Sequence, residues 1–77
     1  MVDRIIERIE NGGYYTIATS MYEQYYWFED GKFYTAMENG VHEPRSKSIS
    51  EDKLRSDITR ALMSPEKYDA FFEEFDE

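Results

Sequence analysis

The sequence contains no cysteine. That excludes disulfide staples, thiolate metal sites and cysteine nucleophiles, and it fits a reducing compartment. It contains no apolar run near the roughly 20 residues that a membrane-spanning helix needs. The N-terminal segment MVDRIIERIE is charged and amphipathic rather than signal-like, so a cytoplasmic protein is expected. Histidine occurs once, as His42. A general base needs an orienting partner and a nucleophile, and the serines cluster at helix caps and in a loop instead. Positive charge is scarce: nine Lys and Arg stand against 17 Asp and Glu, a net charge of −8. Such a surface repels phosphate backbones and favours basic partners. The acidic run Glu73, Glu74, Asp76, Glu77 lacks the glycine and the spacing of an EF-hand loop. No enzyme, no cofactor and no bound metal are expected.

What the chain does have is aromatic side chains, 17% of its 77 residues, within a hydrophobic share of 40%. A chain this aromatic can bury enough surface to fold, and its length suits one small domain over residues 1–77. The stretch Tyr22 to Met37, YEQYYWFEDGKFYTAM, organises it. Asp30-Gly31 lies between two runs of β-formers, a hairpin signal because a type I′ turn needs positive φ at both central residues. Cross-strand partners then have numbers summing to 61. Phe28 faces Phe33 and Tyr26 faces Thr35 on one face. Trp27 faces Tyr34 and Tyr25 faces Ala36 on the other. Both faces carry aromatics, where a sheet with one solvated side would alternate with polar residues. The expected arrangement puts Phe28, Phe33 and Met37 inward and Tyr25, Trp27 and Tyr34 outward.

Around this hairpin, Val2, Ile5, Ile6 and Ile9 recur at helical spacing, and Asn11, Gly12 and Gly13 end that helix. Tyr14 to Thr19 reads as the first strand, followed by a connection at Ser20 and Met21 with a poor turn signal. Asn39-Gly40 predicts a second hairpin that folds Val41–Glu43 back on the third strand, with Pro44 at an edge. Residues 45–50, RSKSIS, read as a loop. Leu54, Ile58, Ala61 and Leu62 make the stripe of a second helix, capped by Ser48 with Glu51 or by Ser50. Ser64-Pro65 looks like a fresh helix start, with Tyr68, Phe71, Phe72 and Phe75 at i, i+3, i+4, i+7. The expected fold is α+β: an N-terminal helix, a three- to four-strand antiparallel meander, and two C-terminal helices packed on one sheet face.

Two surfaces suggest a binding role. The sheet aromatics Tyr14, Tyr25, Trp27 and Tyr34 could stack bases, but such sites come with a basic groove. An exposed Tyr and Trp patch more often meets a protein. Residues 61–77 carry six acidic side chains and one basic. Four acids near the end of a helix oppose its dipole, which suggests a role other than helix stability. Tyr25, Trp27, Tyr34, Glu73, Glu74, Asp76 and Glu77 are therefore the candidate partner-binding residues. The cluster Arg45, Lys47, Lys53 and Arg55 reads as balancing acids on neighbouring elements rather than as a phosphate site.

The small size, the absence of cysteine, the tail FFEEFDE and a meander with helices together resemble the small acidic inhibitors that phages use against host defence, above all anti-CRISPR proteins. The resemblance implies a stoichiometric inhibitor. It would either imitate nucleic acid with its carboxylates or wedge an aromatic surface onto a basic, nucleic-acid-handling partner such as a CRISPR effector. Two other readings remain open: a cellular adaptor or homodimeric interaction domain, and a single-stranded nucleic-acid binder working through the aromatic sheet face. Direct nucleic-acid binding is disfavoured by the charge.

Overall fold

The computed structural model describes residues 1–39 and 45–73. Helix α1 spans Val2–Glu10, with Ile6 and Ile9 buried. It stops where Gly12 takes a φ of 101°. The N–H of Gly13 caps the Arg8 carbonyl at 2.8 Å. Gly13 permits a close approach, since a Cβ there would lie 2.8 Å from the Arg8 carbonyl oxygen and 2.9 Å from the Phe72 ring.

Strand β1, Tyr15–Ala18, follows. The connection that carried a poor turn signal is organised by Thr19. Its hydroxyl accepts the N–H groups of Met21 and Tyr22, each at 3.2 Å, the local bonding that lets threonine close a turn. Strands β2, Glu23–Glu29, and β3, Lys32–Glu38, form the expected hairpin. Asp30 and Gly31 both take positive φ, 52° and 79°. Phe28 pairs with Phe33, Trp27 with Tyr34, and Tyr25 with Ala36.

Strand β4, Lys47–Ile49, pairs antiparallel with β3, Phe33 opposite Ile49. Part of the stretch expected to be a loop is therefore a strand. The alternation that places Ile49 beside Phe33 is too short at three residues to register as periodicity. The fold-back expected at Val41–Glu43, with His42 and Pro44, lies outside the described residues. Helix α2, Glu51–Met63, has Ser50 as its N-cap, accepting the Lys53 N–H at 3.1 Å. Leu54, Ile58 and Ala61 are buried on it, and Leu62 is exposed.

The second C-terminal helix does not form. After a turn in which the N–H groups of Lys67 and Tyr68 both reach the Ser64 carbonyl, the chain runs as strand β5, Asp69–Phe72. β5 pairs antiparallel with β1, Tyr15 opposite Phe72. Tyr15, Thr16 and Ile17 are buried, so the second row of β1 backbone groups must find partners. β5 supplies them, and that need overrides the helical spacing of Tyr68, Phe71 and Phe72.

The result is a five-stranded antiparallel sheet in the order β4-β3-β2-β1-β5. α2 carries the chain from the β4 edge to the β5 edge. Ile6 and Ile9 of α1 and Leu54, Ile58 and Ala61 of α2 pack on Tyr15, Ile17, Tyr26 and Phe33, with Phe28 and Ile49 against them. Those sheet residues share one face, so both helices cover the same side. Met37 lies on that side too, but beyond the reach of the helices, and is 51% exposed rather than inward.

Candidate functional site

The other sheet face carries no helix among the described residues. Alternation along paired strands sets its residues: Tyr25 and Trp27 from β2, Tyr34 and Ala36 from β3, Thr16 from β1. Tyr14, just before β1, joins them. The rings stack as a ladder across the sheet. Tyr34 meets Trp27 at 6.0 Å between centroids, Trp27 meets Tyr14 at 5.7 Å, and Tyr14 meets Tyr25 at 5.6 Å, all within 26° of parallel. Cross-strand aromatic pairs of this kind hold each other upright without a core beneath them. Each of the four rings is only half-buried.

Carboxylates surround the ladder. Glu23 and Glu38 are direct cross-strand partners, an arrangement of like charges that costs stability. The Tyr25 hydroxyl lies within hydrogen-bond reach of both, 3.1 Å from Glu38, and shares its one proton between them. The contact with Glu23 first, then burial, then the contact with Glu38 push the Tyr25 phenol well above its usual range. On the β5 side the Glu73 N–H donates to the Tyr14 carbonyl at 2.8 Å. The Thr16 hydroxyl donates to Glu73 Oε1 at 3.1 Å, which aims that carboxylate across the face. The Tyr14 phenol is pushed up first by burial and then by the charges of Glu73 and Glu38, so the negative field reaches the rings.

The ion pairs lie elsewhere. Among the described residues they are Lys53–Asp57, Arg55–Asp3 and Arg55–Glu51, all on the helix side. Lys53 and Arg55 thus balance acids on their own and neighbouring elements, while among the described residues no ion pair includes Glu23, Glu38 or Glu73. Between the rings and Glu38 runs an open groove of about 580 Å³, floored by Ala36 and bounded by Tyr14, Tyr25, Trp27, Ser46 and Glu73.

Of the residues singled out from the sequence, Tyr25, Trp27, Tyr34 and Glu73 come together on this face. Glu73 follows a strand, so the argument from a dipole-opposed helix end does not apply to it. Glu74, Asp76 and Glu77 lie outside the described residues. Tyr14, Glu23 and Glu38 were not among the partner-binding candidates. For Glu23 and Glu38 a signal existed, because their numbers also sum to 61 in the hairpin register. Among the described residues no group of three or more His, Asp or Glu is arranged to hold a metal ion, and no helix is long and apolar enough to cross a membrane. No protein-family model, curated protein or solved structure matches this chain.

Proposed function

We propose that the protein is a non-enzymatic inhibitor that docks on the basic surface of a nucleic-acid-handling protein, in the manner of small acidic phage anti-defence proteins. A CRISPR effector is the partner class that the sequence resemblance suggests. The observation that carries this reading is the sheet face without a helix among the described residues, where an aromatic ladder lies beside Glu23, Glu38 and Glu73, none of them in an ion pair among those residues. Stacked Tyr and Trp side chains supply rigid contact area at little entropic cost, and they are enriched at binding hot spots. The carboxylates supply attraction and orientation toward a basic partner. The same charges repel phosphate, which weighs against stacking of single-stranded nucleic acid, and they repel a second copy of the same face.

The test is binding of the purified protein to candidate effectors by native mass measurement, with and without guide or target nucleic acid. A one-to-one complex that competes with nucleic acid is expected. Replacing Glu23, Glu38 and Glu73 together with Gln should weaken that complex by at least tenfold, with a shallower salt dependence. Complex formation unchanged by that triple replacement and by Trp27→Ala would assign the contact to some other surface.

A further inference from the structure

We infer that the groove over Ala36 is a socket for one arginine side chain of the partner. The inference rests on the proposed basic partner and names the group that enters. Ala36 faces Tyr25 across the hairpin and is 8% exposed. Its methyl group leaves a gap in a row of larger side chains. The Tyr25 ring stands directly across from Ala36, and Trp27 and Glu38 also line the gap. An apolar floor lined by rings and a carboxylate suits a planar cation better than a compact one. Guanidinium stacks on aromatic rings and is weakly hydrated, whereas ammonium is a strongly hydrated point charge.

Glu38 and Glu23 retain acceptor capacity for such a cation. A carboxylate offers about four lone-pair sites, and the single Tyr25 proton engages at most one on either. A guanidinium entering from solvent can donate to Glu38 while its plane lies along the rings. Its charge also relieves the repulsion between two glutamates held directly opposite each other. Glu73, held by Thr16, adds a further negative charge across the groove.

Trp27 is the only tryptophan, so its fluorescence reports the socket. The probes are three peptides of one length that alternate glycine with arginine, lysine or citrulline, titrated at about 0.15 M salt. The arginine peptide should change Trp27 emission and bind about five- to tenfold tighter than the lysine peptide, and the citrulline peptide should not bind. Ala36→Leu fills the socket and should erase the preference for arginine while leaving charge-driven binding of both cationic peptides. Glu38→Gln should weaken the arginine peptide more than the lysine peptide. Circular dichroism checks that each variant is folded. Equal arginine and lysine affinities with silent Trp27 emission overturn the socket and leave the basic-partner reading standing. An arginine preference that survives both substitutions places the socket elsewhere and overturns it here. Failure of every cationic peptide to bind even at low salt overturns both.

Discussion

Tyr25 and Tyr26 are neighbours in β2, yet they serve opposite faces. Tyr26 is 1% exposed, at the centre of the helix-covered face. Its hydroxyl donates to Asp57 of α2 at 2.8 Å, and Asp57 is in turn paired with Lys53. Tyr25 is half-exposed, and its hydroxyl reaches the glutamates of its own hairpin. On the covered face, rings are held by apolar side chains around them, and among the described residues no buried polar side-chain atom lacks a partner. On the other face the rings stack on one another, and Glu23 and Glu38 stand directly opposite each other across the hairpin. The covered face is arranged for stability and the open face tolerates a local cost in it, the pattern expected of a surface kept for contact.

The strongest challenge to that contrast is core truncation. Ile58 is fully buried between α2 and the sheet. Ile58→Ala should cost about 2–4 kcal/mol in urea unfolding, a large part of the stability of a domain this small. Trp27→Ala, which removes an inner ring of the four-ring ladder, should cost about 1 kcal/mol. A larger loss from Trp27→Ala would show the open face to be part of the core.

The two tyrosine hydroxyls sharpen the comparison further. Tyr26→Phe removes the donor to Asp57 and should cost about 1–2 kcal/mol, while Tyr25→Phe should change stability by less than about 0.5 kcal/mol. The Tyr26 hydroxyl also carries a pH dependence. Burial, reinforced by the Asp57 carboxylate, raises the Tyr26 phenol far above its ordinary value of about 10. The folded state therefore holds that proton more tightly than the unfolded chain does. This contribution is complete below pH about 10 and is lost as the pH climbs beyond it. Stability should fall above pH about 10, and Tyr26→Phe should flatten that fall. A fall of unchanged slope in Tyr26→Phe would mean that this hydroxyl ionises as readily in the folded state as in the unfolded chain.

The smallest expected effect has the opposite sign. Glu38→Gln removes one of two like charges held across the hairpin and should stabilise the fold by a few tenths of a kcal/mol. The same change should weaken binding to a basic partner. A gain in stability with a loss of affinity separates contact from folding at a single side chain.

Much of this was legible in the residues themselves. Asp30-Gly31 specified the turn, and the turn specified every pairing from Glu23–Glu38 to Glu29–Lys32. The opposed glutamates could have been read from the same register. The stripes of α1 and α2 were equally plain, because helical periodicity over two or more turns has few competing explanations. The reason is locality: a two-residue turn and an i, i+4 stripe are decided by backbone sterics and near neighbours. Only the tertiary structure decided that 69–72 is a strand, since Tyr68, Phe71 and Phe72 fit a helical face as well as a sheet, and the choice fell to the unpaired edge of a buried β1 more than fifty residues away. It also decided which aromatic face stays open, because both faces carry rings and the helices can cover only one. Glu73 reached the aromatic ladder by that same strand, through a pairing whose benefit appears only once the chain has closed on itself.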